Sequence, residues 1–178
     1  MQVFDNVTQL VGDDLKQTIQ KGSKISVAAA YFSIYAYEAL KEELEKCEEL
    51  RFIFTSPAFT KEENEKIQKE FYISKLSREK SLYGTEFEIR LRNEMTQKAI
   101  ARECAEWIRK KAKFKSIKQK TIPEILHVHN SKDHEISYML SSGGSGFDQT
   151  TLGYEKGNML FSMIQKHEDT KTCNELIQ

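Results

Sequence analysis

The chain predicts an α/β fold in a single domain, and three features carry that expectation. Lys24–Phe32 (KISVAAAYF) reads as a strand, a helical stripe runs from Ser33 to about Cys47, and Leu50–Phe54 (LRFIF) reads as a second strand. Strand, helix and strand within about thirty residues form a βαβ unit, whose crossover should be right-handed. A long amphipathic helix is expected from about Asn93 to Ala112. Finally, Leu126–Gly153 reads as strand, polar turn, strand and glycine-rich loop. A length of 178 residues suits one domain with an appendage. The expected division is a domain over 1–164 and a polar C-terminal tail over 165–178.

The elements follow in order. Val7, Leu10, Val11, Leu15 and Ile19 make a helical stripe over Asn6–Gln20. Asp5 or Asn6 is placed to cap it and Gly22 to end it. Lys24–Phe32 is apolar on both alternating faces, which predicts a strand covered on both sides. In the next helix Tyr37, Leu40, Leu44 and Cys47 share one face. Ser56–Pro57 breaks the pattern, and Thr60 with Glu63 forms a capping box for a charged helix to about Phe71. Lys75–Gly84 is polar and irregular, a loop. Thr85–Arg92 alternates, as a half-exposed strand or as the entry to a helix. In the helix that follows, Met95, Ala99, Ile100, Cys104, Trp107 and Ile108 form the buried face. After Gly153 an apolar helical turn is expected up to Ile164, and then a fraying or shortly helical end.

Composition excludes several classes. The 27 basic and 27 acidic residues balance, so any binding to nucleic acid must use a local patch. The longest apolar run, about Val27–Ile34, is too short to cross a bilayer. The N-terminus has no basic n-region followed by an apolar stretch, so neither a secretory signal nor a membrane partner is expected. Cys47, Cys104 and Cys173 are odd in number and widely spaced, which suits a reducing cytoplasm and gives neither a disulfide framework nor zinc spacing. No Walker-type G-x-x-x-x-G-K-[ST] is present, nor H-E-x-x-H, G-x-S-x-G or G-x-G-x-x-G. No cofactor or metal is expected.

Two stretches carry candidate chemistry. His127 and His129 are two apart, so on a strand they share a face. The loop Ser141–Gly146 (SSGGSG) follows the second strand with many hydroxyl and backbone N–H groups, an arrangement suited to an anion such as phosphate. The competing reading is a hairpin edge with solvated histidines and a flexible loop. The second stretch is Arg109–Lys120 (RKKAKFKSIKQK), the only dense basic segment. Arg109, Lys110, Lys111, Lys113 and Lys115 are candidates for the phosphate backbone of nucleic acid. Against that stands a soluble helix end, where cations suit the dipole.

The N-terminal helix, the strand and helix of KISVAAAYFSIYAYEALKEEL, the strand LRFIFTSP and the late histidine strand with its Ser/Gly loop together resemble phospholipase-D-like domains. Over about Met1–Lys111, including LYGTEFEIRLRNEMTQKAIARECAEWIRKK, the chain looks like the N-terminal phospholipase-D-like module of large bacterial helicase-type proteins. Those proteins carry a DNA-dependent ATPase motor of the chromatin-remodeller kind further along. The resemblance implies a mixed, largely parallel sheet flanked by helices and a role in DNA metabolism or defence. The implied partners are nucleic acid, the protein's own helicase motor and a second copy of the chain.

Active members of that family carry H-x-K-x-x-x-x-D and a G-S-x-N loop. One imidazole attacks phosphorus and a second protonates the leaving oxygen. The lysine and the loop hold the phosphate oxygens. Each domain supplies one histidine, so a single-motif chain must dimerise. Here His127 matches the family histidine, His129 takes the lysine position and His134 the aspartate position. Lys132 and Asp133 are out of register. Ser142 and Ser145 fall where the phosphate loop would lie, Phe147, Thr150, Thr151 and Leu152 resemble its continuation, and Glu155 matches an acidic residue that often follows. An imidazole is no substitute for a permanent cation, because its charge titrates near neutrality. The resemblance therefore implies a degenerate, non-catalytic module. The alternatives are a dimeric, metal-independent phosphodiesterase or nuclease using His127, and a module for protein interaction only.

Overall fold

The structure is a computed structural model that describes residues 2–55, 86–116, 122–130, 134–140, 146–156 and 163–168. For 86–96 and 116 the backbone alone is described. The expected break at Ser56–Pro57, the capping-box helix from Thr60, the loop Lys75–Gly84 and most of the apolar helical turn through Ile164 lie outside these residues; at the end of that turn Met163 is not helical and Ile164 begins a strand.

The elements are β1 (Gln2–Phe4), α1 (Val11–Thr18), β2 (Lys24–Ala29), α2 (Ile34–Ala39), α3 (Lys41–Lys46), β3 (Glu49–Phe54), α4 (Glu86–Lys111), β4 (Ala112–Ser116), β5 (Ile125–Asn130), β6 (His134–Leu140), α5 (Gln149–Leu152) and β7 (Ile164–His167). The strands form one seven-stranded sheet in the order β1-β7-β6-β5-β2-β3-β4. The fold is thus α/β, a mixed sheet flanked by helices. The expectation of a largely parallel sheet is corrected. Only β2–β3 and β3–β4 pair in parallel, and β1–β7, β7–β6, β6–β5 and β5–β2 are antiparallel. For β5–β6 the cause is connection length: residues 131–133 join the two strands, far too few for the crossover that parallel strands need.

The hydrophobic cluster uses one face of the sheet. Ile25 and Val27 of β2, Leu50 and Phe52 of β3, Leu126 and Val128 of β5, Ile136 and Tyr138 of β6 and Ile164 of β7 meet Leu15, Tyr37, Leu40, Leu44 and Trp107 of the helices. Truncating one of the larger of these side chains to alanine should cost about 3–5 kcal/mol. β2 alternates between buried and half-buried positions, so its second face is less covered than its apolar composition predicts.

The end of α3 shows how the helices are fixed. Its last carbonyls lack intrahelical partners, and buried carbonyls need donors. The Trp107 indole donates to Leu44 O at 3.0 Å, and the Gly22 N–H to Lys46 O at 3.0 Å. Lys111 donates to Cys47 O at 2.7 Å and also bonds Glu45 O. The sequence reads one helix here. The chain forms two, α2 and α3, meeting at Leu40, whose φ of −115° and ψ of 20° are not helical. Ser33 caps α2 as expected, accepting from the Tyr35 N–H at 3.2 Å.

Both termini of the described chain enter the sheet. β1 is three residues long, too short to show a period. β7 takes in residues 165–167, which the sequence assigns to a polar tail. Lys166 there is buried, bonded to Asp14 of α1 at 2.8 Å and to Glu168 at 3.0 Å. Asp5 caps a turn, accepting the N–H groups of Val7, Thr8 and Gln9, while Asn6 accepts the Val11 N–H at the start of a shorter α1.

Candidate functional site

Successive strand residues face opposite sides, and cross-strand partners share a side. His127 on β5 lies between Ser26 of β2 and Ser137 of β6, and His129 lies between Lys24 and Glu135. Both imidazoles therefore project from the face opposite the hydrophobic cluster. The same register adds Glu49 and Arg51 of β3 and Lys113 and Lys115 of β4 to that face.

The two histidines differ sharply in setting. His127 is only 6% exposed. Its Nδ1 is 2.9 Å from the Ser137 hydroxyl. Burial holds the His127 imidazole below its ordinary value, with Glu135 opposing and His129 adding to the effect. His129 has a side chain 44% exposed, and its Nδ1 is 3.1 Å from Glu135 Oε1. One donor atom from each of His127, His129 and Glu135 lies within 4.8 Å of the others. The solvated-histidine reading therefore fails for His127, which sits on a central strand.

The serine–glycine loop lies outside the described residues, including Ser142 and Ser145. Its two anchors are described. Leu140, at its entry, donates its N–H to Glu124 O at 3.0 Å. Phe147, at its exit, donates to Tyr31 O at 2.8 Å and accepts from the Ser33 N–H at 3.0 Å. The Phe147 ring stacks on Phe32 at 5.7 Å, and Phe32 in turn meets Phe52 and Phe114. Gly146 must be a glycine here, because a Cβ would lie 2.2 Å from the Tyr31 ring. The continuation forms α5, capped by Asp148, which accepts the Thr151 N–H at 2.8 Å.

Both anchors lie at the end of the sheet where β2 and β6 finish and β5 begins. His127 is opposite Ser137, three residues before Leu140, so about 10 Å of strand separates it from that end. His129 and Glu135 lie further off, towards the hairpin turn. The second imidazole is engaged in a pair with Glu135.

The basic segment divides in the same way. Arg109 and Lys110 end α4 and are exposed, and Lys115 is exposed on β4. Lys111 caps α3. Lys113 is held by Glu49, whose carboxyl is lowered by Lys113 first and Arg51 second. Phe114 anchors the strand, 5.5 Å from Phe52 and 5.7 Å from Phe54.

Glu135 and Ser137 are the residues that sequence reading missed. A usable signal was present. Two antiparallel strands joined by three residues pair 130 with 134, so 129 faces 135 and 127 faces 137.

No family model matches the chain, and no curated protein matches it. Among the described residues, fold and site together define an α/β protein with a mixed seven-stranded sheet and a histidine-bearing central hairpin. Among the described residues, no helix is long and apolar enough to cross a membrane.

Proposed function

We propose that the chain is an accessory phospholipase-D-like module of a helicase-type protein in DNA metabolism or defence, acting in the cytoplasm, which contacts nucleic acid and performs no chemistry of its own. One observation carries the second half of this reading. The position that needs a permanent cation holds His129, and its imidazole is bonded to Glu135 rather than offered to a phosphate. The resemblance over about the first 111 residues supports the module, and its single histidine motif per chain supports the homodimeric form. Exposed Arg109, Lys110 and Lys115 supply the local positive surface that a neutral chain requires.

Band shift with single- and double-stranded DNA at low and moderate salt tests the reading. Binding that weakens as salt rises is expected, with no hydrolysis of a phosphodiester. Absence of binding to either strand form at either salt would refute it.

A second reading, a phosphodiesterase with His127 as nucleophile, is favoured by one feature: the imidazole is buried at the sheet centre and oriented by Ser137. Hydrolysis that survives a chelator and is lost in His127→Asn would establish it. A dimer with neither DNA affinity nor hydrolysis would leave protein interaction as the role.

A further inference from the structure

We propose that His127, His129 and Glu135 form a zinc-class metal site on the face of the β5–β6 hairpin opposite the hydrophobic cluster. This goes beyond the nucleic-acid reading and does not rest on it.

His127 and His129 are alternate residues of a central strand, and Glu135 is the direct cross-strand partner of His129. His127 and His129 are paired on both sides, with β2 and β6, and Glu135 is paired with β5, so the donors are brought together by the sheet rather than by flexible loops. Their donor atoms already lie within 4.8 Å of one another. Tetrahedral ligands each about 2.1 Å from zinc lie about 3.4 Å apart, so closing the widest pair needs side-chain movements that sum to about 1.4 Å. His129 and Glu135, both only partly buried, can make them.

The donor chemistry is selective. Two imidazoles and one carboxylate suit zinc and its transition-metal neighbours, while magnesium and calcium prefer oxygen cages. The Ser137 hydroxyl at His127 Nδ1 is the outer contact that fixes a ligating imidazole, leaving Nε2 as the nitrogen that Ser137 does not engage. Lys24, beside His129 on β2, is drawn off by Glu48 at 3.4 Å. The exposed side of His129 provides an entry path. Three protein donors leave a fourth position for water or an anion. A dication there would restore the permanent positive charge that an imidazole lacks. It would also take up the imidazole lone pair that a nucleophilic His127 needs.

The test is calorimetric titration of zinc chloride into the full chain after chelator treatment. One ion per chain is expected, with no heat from magnesium or calcium. His129→Ala and Glu135→Gln should each weaken zinc binding at least about tenfold, and Ser137→Ala about 10- to 100-fold. His134→Ala, which removes an exposed histidine outside the cluster, should bind as wild type does. The melting temperatures of His129→Ala and Glu135→Gln without zinc check that their folds persist. Zinc affinity unchanged in both of these variants, or lost equally in His134→Ala, overturns the proposal. Zinc binding without DNA binding, or the reverse, separates this site from the functional reading above.

Discussion

Replacing Lys111 by alanine separates a structural cation from a nucleic-acid contact. The sequence puts Lys111 in the basic run with Arg109 and Lys110, yet its ammonium reaches back to the end of α3, bonding Glu45 O and Cys47 O. A hydrogen bond to a charged group contributes about 1.5–3 kcal/mol. Lys111 is half-buried, so water partly replaces its two bonds, and the net loss should be about 1–2 kcal/mol. For a chain of this size 1 kcal/mol moves the melting temperature by about 2–4 °C. Lys111→Ala should therefore melt about 2–8 °C lower than wild type. Lys110→Ala, an exposed neighbour, should stay within about 0.5 kcal/mol. Thermal melts, together with fluorescence anisotropy on a labelled oligonucleotide, read both effects. If Lys111→Ala melts like wild type but loses affinity while Lys110→Ala does not, the capping role is wrong and the residue belongs to the binding surface.

Three further outcomes follow from the packing. Gly146→Ala should destabilise by about 1–3 kcal/mol, read by chemical denaturation, because the new Cβ would sit 2.2 Å from the Tyr31 ring; a neutral result would mean that the loop exit does not pass there. Lys166→Met should cost about 2–4 kcal/mol by leaving the partly buried Asp14 without its cation, and adding Asp14→Asn should recover part of the loss; no recovery would contradict the pairing. Stability should hold to about pH 9 and fall as pH rises towards 11. Burial pushes the Cys104 thiol from 9.0 to about 11, and it raises Tyr138, with Asp14 adding to the effect. For Lys166 burial works downward, but the bonds to Asp14 and Glu168 outweigh it and the ammonium is raised. Groups raised in the folded state bind protons more tightly there, so their contribution is complete below the unfolded value and lost above it. Denaturant midpoints across pH 7–11 check this. A flat profile, or the same decline from pH 9 in Cys104→Ala, would contradict it.

Much of the frame is legible where apolar periodicity is long. β2 and β3 with helix between them, the buried Cys104 and Trp107 of α4 and the two strands of the hairpin fall where the pattern puts them. Alternation in Thr85–Arg92 fits strand or helix, and the chain continues it as α4 from Glu86. What local pattern cannot show is pairing. Parallel pairing stops at β2 because β5 joins its other edge antiparallel, a decision made by residues a hundred positions apart. Short pieces also escape: β1 and β7 are held by their partners, and Lys166 looks like tail until Asp14 is beside it. At the site, the shared face of His127 and His129 follows from spacing alone. Their different fates do not, because Ser137 and Glu135 reach them only across the hairpin.

The salt dependence of DNA binding tests the central claim most directly. Each phosphate contact contributes about 0.9 to the slope of log affinity against log salt. Arg109, Lys110 and Lys115 together should account for up to about 2.7. The account predicts that replacing all three by alanine flattens the slope by about that amount and leaves the melting temperature unchanged. An unchanged slope in the triple variant, or a wild-type chain that never binds, would contradict it.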